Sequence, residues 1–126
     1  MIDLQKTLRS FRFAGRGIID LFRYENNAKV HLLAAVCTVV VGFWLRFSIM
    51  EWAIILTQIG LVWAAEAVNT AIEKLCDVVS PGHNQTIGNV KDLAAGAVLI
   101  LTIVAVVVGL LVVGNKILSS LSSLTE

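Results

Sequence analysis

The sequence predicts an all-α membrane protein, an N-terminal amphipathic surface helix followed by three transmembrane helices. Three observations predict it. Hydrophobic residues make up 57% of the 126 and charged residues only 15%, with a mean hydropathy of +0.83. An average soluble domain has about 25% charged residues and at most about 50% apolar ones. Three apolar runs reach or approach the ~20 residues that a spanning helix needs. Finally, the charge is segregated: six of the ten Lys and Arg residues (Lys6, Arg9, Arg12, Arg16, Arg23 and Lys29) precede the first apolar run.

Residues 1–24 form the surface helix. Leu4, Leu8, Phe11, Gly15, Ile18 and Phe22 recur every three or four positions, which is one helical face. Four arginines lie on the others. An apolar face beside a basic one suits a helix lying among lipid headgroups. There is no apolar leader after a charged start, so no cleavable signal peptide is expected. A polar connector, Tyr24 to His31, delivers the chain to a first span over 30–47. Phe43, Trp44, Phe47 and Trp52 cluster there beside Arg46 and Glu51, an interfacial aromatic belt. The break at Ser48 predicts a tight turn and an antiparallel second span over 50–72, continuing as helix to residue 77. Ser80-Pro81-Gly82 stops that helix and predicts a loop over 78–90. The third span, 93–113, carries no charge, and Gly96 among Ala94, Ala95 and Ala97 permits close helix approach. The Ser-rich tail, 115–126, is expected to fray. The basic N-terminus should remain in the cytoplasm, which puts the 78–90 loop there too.

One stretch breaks the apolar pattern. Glu66, Asn69, Glu73 and Asp77 are spaced 3, 4 and 4 apart. At about 100° per residue they fall at about −60°, −20° and +20° from Glu66, and Thr70 joins them. Three carboxylates thus share one face of a helix that is leaving the membrane. With the predicted orientation, Glu25, Lys29, His31, Lys91 and Asp92 lie at the same boundary. Carboxylates there need an offset. Cationic side chains could provide it, or a divalent cation such as Mg²⁺, which takes one or two carboxylates plus phosphate oxygens. A carboxylate shielded from water can also serve as a general base. An ion-paired stripe that only holds helices together is the alternative.

Other motifs carry less. Cys37 and Cys76 read as buried small residues, not a metal site. Gly15-Arg16-Gly17 lacks the Gly-Lys-Ser/Thr of a phosphate-binding loop and is expected to be a packing contact. Neither His31 nor His83 has metal-ligand neighbours, and His31 reads as an interfacial hydrogen-bonding residue. No nucleic-acid partner is expected.

Glu66-x-x-Asn69-Thr70-Ala71-Ile72-Glu73-x-x-x-Asp77, followed by Lys91-Asp92-x-Ala94-Ala95-Gly96-Ala97-Val98, resembles the prokaryotic diacylglycerol kinase family, which includes undecaprenol kinases. The resemblance extends over nearly the whole chain. It implies a homotrimeric membrane bundle that transfers the γ-phosphate of MgATP to a membrane lipid alcohol at the cytoplasmic face of the inner membrane, with sites shared between subunits. It further implies Glu66 as general base at the lipid hydroxyl and Asn69 as orienting the reacting groups. Glu25 and Glu73 would hold the metal and the nucleotide. Asp77, Lys91 and Asp92 would line the nucleotide site, with Lys6 and Arg12 as further phosphate contacts. The segment Glu25-x-Asn27-x-Lys29-x-His31 resembles the form in undecaprenol-type members, except that Lys29 stands where Arg is commoner. Lys supplies the charge without the bidentate fork. Two other classes, a small ion-transport protein and a non-catalytic assembly subunit, would also carry intramembrane carboxylates. A transport site should place charge in mid-span, and residues 32–45 and 93–113 have none.

Overall fold

In the computed structural model, which describes all 126 residues, the chain is entirely helical: α1 Leu4–Tyr24, α2 Asn26–Leu45, α3 Ile49–Val79 and α4 Gln85–Thr125. The last three are long and apolar enough to cross a membrane. α3 packs chiefly against α4, with α2 beside both and α1 touching α2 and α3.

α1 starts at Asp3, whose side chain accepts from the Lys6 backbone N–H at 3.0 Å. Its apolar stripe faces outward: Leu4, Leu8, Phe11 and Ile18 are all exposed, and only Leu21 is buried. Phe22 meets Trp63 of α3 edge-on, with ring centroids 5.0 Å apart. The polar connector expected over Tyr24–His31 is almost absent. Glu25 alone leaves helical geometry (φ −90°, ψ 120°), and α2 resumes at Asn26. The polar residues of that segment occupy the first turns of α2 instead.

The tight turn at the other end is present. Arg46 adopts a left-handed conformation (φ 57°) and Phe47 N–H closes onto Gly42 O at 2.9 Å. Ser48 then starts α3 with a reciprocal cap. Glu51 N–H donates to Ser48 Oγ at 3.2 Å, and Ser48 N–H to Glu51 Oε1 at 2.9 Å. Trp52 packs on Phe43 and Phe47, with centroids 4.9 and 5.4 Å away. It lies so close over Gly42 that a Cβ there would stand 2.6 Å from its ring. Lys116 of α4 reaches Glu51 Oε1 at 3.0 Å, joining α3 and α4 at this end.

The expected loop over 78–90 shortens to residues 80–84. Helix continues through Val79, and Asn84 caps α4 by accepting from Ile87 N–H at 3.1 Å. The polar residues that resembled a loop lie on a helical turn outside the apolar run. The tail is helical to Thr125 rather than frayed. Ser119, Ser120, Ser122, Ser123 and Thr125 hydroxyls donate to carbonyls three or four residues back, which satisfies them within the helix. Within the spans, Thr38, Thr57 and Thr102 do the same at 2.7–2.8 Å.

Only 12 residues are buried, and the accessible surface is 9507 Å². A soluble monomer of this mass would expose about 6,600 Å². The excess is apolar helix surface without a partner in one chain. Cys76 is buried as expected, but Cys37 is exposed. Gly96 has no neighbour within 4 Å of a Cβ position, so its small-residue patch makes no close approach within the chain. Gly15 and Gly17 are equally open, so the expected contact is absent. Gly17 instead borders a hollow between α1 and α3.

Candidate active site

α3 has 31 residues, about 46 Å at 1.5 Å per residue, against a hydrocarbon core of about 30 Å. Its last ten or so residues therefore emerge from the apolar layer if Ile49 starts at the far boundary. Glu73 and Asp77 lie in this stretch, and Asn69 and Glu66 lie about one turn short of it, at the edge of the apolar layer.

The stripe is graded in burial. Glu66 and Asn69 are 3% and 4% exposed, and Thr70 is also buried. Glu73 is half-buried and Asp77 exposed. Buried Ile55 and Val62 continue the same face below Glu66. Asn69 Nδ2 donates to Glu73 Oε1 at 3.2 Å. That bond orients the amide and leaves Asn69 Oδ1 buried with no donor; Thr70 Oγ1 is likewise without a partner. A buried polar atom without a partner costs roughly 1–3 kcal/mol, so a water or a ligand group is expected to meet these two atoms.

The other elements bring charge to the same end. The backbone break places Glu25 between α1 and α2, where its N–H closes α1 onto Leu21 O at 3.0 Å. Its carboxylate makes no cap bond. Glu25 and Glu73 both lie within electrostatic range of Glu66. Lys91, on the second turn of α4, pairs with Asp77 across the 80–84 turn, and Glu73 is near enough to act on it too. His31 of α2 faces Glu66, Nε2 to Oε2 at 3.8 Å. Glu25, Glu66, Glu73, Asp77 and Lys91, predicted at one depth from three distant segments, lie at one end of the bundle.

Asp92, Lys6 and Arg12 are not drawn in. All three are exposed, and none forms an ion pair within the chain. Sequence reasoning missed the facing of His31 and Glu66. The usable signal was the Ala28-His31-Ala35 spacing, which puts His31 in the middle of a small-residue face.

Below the acidic end, α2, α3 and α4 enclose an apolar groove of about 390 Å³. His31 and Trp63 line one end and Gly109 and Val113 the other, with Gln58, Thr38 and Thr102 as its polar spots. No three His, Cys, Asp or Glu side chains of one chain converge tightly enough to enclose a metal ion.

A membrane-embedded bundle with carboxylates, a lysine and an apolar groove at one boundary suits chemistry on a lipid headgroup. Residues 12–113 match the model of the family described as prokaryotic diacylglycerol kinase. The chain is 38% identical over 110 residues to the undecaprenol kinase of Bacillus subtilis (strain 168), an alignment covering 87% of this chain and 89% of that one. It is 33% identical over 103 residues to the diacylglycerol kinase of Synechocystis, covering 81% of this chain and 59% of that one. With the diacylglycerol kinase of Escherichia coli K12 it shares 30% identity over 102 residues, or 81% and 84% of the two chains. The chain belongs to the prokaryotic diacylglycerol kinase family. It is an ATP-dependent lipid kinase.

Proposed function

We propose that this kinase transfers the γ-phosphate of MgATP to the hydroxyl of undecaprenol or diacylglycerol, at the cytoplasmic face of the inner membrane. Undecaprenol is the preferred reading, from the greater identity to the undecaprenol kinase and the Glu25-x-Asn27-x-Lys29-x-His31 segment. The observation that carries the reading is the gathering of Glu66, Glu73, Glu25 and the Lys91–Asp77 pair at one end of an apolar groove.

The lipid chain lies in the groove with its hydroxyl at Glu66. Glu66 takes the hydroxyl proton, the lipid oxygen forms a bond to the γ-phosphorus, and the bond from that phosphorus to the β-bridging oxygen breaks, releasing ADP. Phosphoryl transfer needs positioning and charge neutralisation more than covalent help. Asn69 holds Glu73 in place and offers its free Oδ1. Glu73 and Glu25 are the carboxylates that would hold Mg²⁺, and their hard oxygens suit an ion that commonly takes only one or two protein carboxylates. When bound, Mg²⁺ neutralises charge on the ATP phosphates. Lys91 adds positive charge, and Asp77 and Asp92 border the nucleotide. Lys6 and Arg12 reach phosphate only across a subunit boundary. Three chains assemble to complete each site, because one chain leaves those residues and the apolar faces unpartnered.

The test is purified protein in lipid with labelled ATP, offered each alcohol separately. Label in undecaprenol, in diacylglycerol or in both supports the kinase reading, and the ratio of the two rates chooses the substrate. Folded protein that labels neither overturns it. Labelling of a cysteine introduced at Asn84 in intact spheroplasts tests orientation; protection from an impermeant reagent is expected.

A further inference from the structure

Glu66 has an unusual environment for a carboxylate. It is 3% exposed, and no backbone or side-chain donor hydrogen-bonds to it. Among the basic side chains, His31 alone comes within 4 Å of its carboxylate. A buried carboxylate needs a partner, and here the partner is an imidazole from a different helix.

Helix register makes that arrangement deliberate. Ala28, His31 and Ala35 are spaced 3 and 4 apart, on one face of α2. Ala28 and Ala35 are 1% and 7% exposed, so that face of α2 is packed on both sides of the ring. The opposing stripe of α3 runs Ile55, Val62, Glu66, Asn69, all buried. His31 Nε2 stands 3.8 Å from Glu66 Oε2. That is longer than a direct hydrogen bond, and a small shift of the ring brings Nε2 into donating range. The imidazole also lines the end of the 390 Å³ groove. His31 therefore touches both the carboxylate and the space leading to it.

We propose that His31 is a positioning residue for Glu66: its imidazole, reaching across from α2, holds the buried carboxylate toward the end of the groove where the lipid hydroxyl arrives. The inference rests on the kinase reading above, with Glu66 as the base. It adds a dependence of the base on a second helix. Any substrate that wedges α2 from α3 would also displace the base.

The experiment compares His31→Ala, His31→Leu and His31→Gln with wild type, in lipid, using ATP and undecaprenol or diacylglycerol, whichever the wild type phosphorylates. Glu66→Gln runs as the control. Ala removes the ring, Leu keeps volume without a donor, and Gln restores an amide donor close to the position of Nε2. The expected result is a fall in kcat of at least 10-fold for Ala and for Leu, with KM for ATP within twofold of wild type. Gln should recover most of the rate. Three outcomes overturn the inference. One is kcat within twofold of wild type in folded Ala and Leu variants. Another is rescue by Leu as good as by Gln, which marks a packing role. The third is melting temperatures that collapse in both Ala and Leu variants, which marks a structural one. Failure of the base assignment looks different: Glu66→Gln then turns over like wild type, whatever the His31 variants do.

Discussion

At the scale of single residues, the candidate site separates by burial into parts that suit different jobs. Glu66 is enclosed, Glu73 is half-enclosed and tied to Asn69, and Asp77 is in the open with Lys91. A base works best where water cannot compete for its proton, whereas nucleotide-facing groups must be reached from solvent. General-base catalysis is worth about 10²–10⁴ in rate. Glu66→Gln is therefore expected to lower turnover by that range while ATP binding, read by calorimetry or nucleotide protection, stays close to wild type. Near-normal turnover would remove Glu66 from the role. Glu25→Ala and Glu73→Ala should each move the Mg²⁺ titration of activity to higher concentration. An unchanged titration in either variant would count against ligation by that residue. Asn69→Ala should act with Glu73→Ala less than additively, since the amide holds that carboxylate at 3.2 Å and coupled neighbours are not independent.

At the scale of elements, one set of contacts fixes the helices at the end away from the site. The Ser48–Glu51 cap, the Lys116–Glu51 pair and the Phe43–Phe47–Trp52 cluster all lie there. Ser48→Ala removes the side-chain acceptor at the start of α3 and should cost about 1 kcal/mol, read as a lower unfolding midpoint in detergent. Gly42→Ala should cost more, about 1–3 kcal/mol, because the new methyl would stand 2.6 Å from Trp52 and 2.8 Å from Phe47. The Trp52 ring is held between two phenylalanines and has little room to yield. A Gly42→Ala variant with wild-type stability would mean that the turn repacks freely. At the site end, by contrast, α2 and α3 face each other through His31 and Glu66, and Asn69 Oδ1 and Thr70 Oγ1 lack partners.

At the scale of the whole molecule, one chain leaves apolar surface and polar groups without partners. Its surface is far larger than a soluble monomer's, and the exposed part is largely aliphatic. Lipid can cover much of that. It cannot supply partners for Asn69 Oδ1 and Thr70 Oγ1, nor bring Lys6 and Arg12 to the acidic cluster. A trimer with shared sites is expected from native mass spectrometry. At a Mg²⁺ concentration too low for the Glu25→Ala chain alone, mixing it with Glu66→Gln chains should restore part of the activity, if the two residues serve one site from different subunits. A fully active monomer would refute that arrangement.

The helical class, the three spans and the acidic stripe were all readable from one-dimensional pattern. Hydrophobic period and charge segregation are local properties, and a face of a helix follows from spacing alone. Element ends were read less well. The 80–84 turn and the helical tail depended on Asn84 and the serines finding local acceptors, and composition could not distinguish that from loop. The neighbours of Glu66 were the least legible. The meeting of His31 with Glu66, the Lys91–Asp77 pair and the Lys116–Glu51 pair each join residues on different helices. Such contacts depend on how far one helix slides along another, and only the packed chain sets that distance.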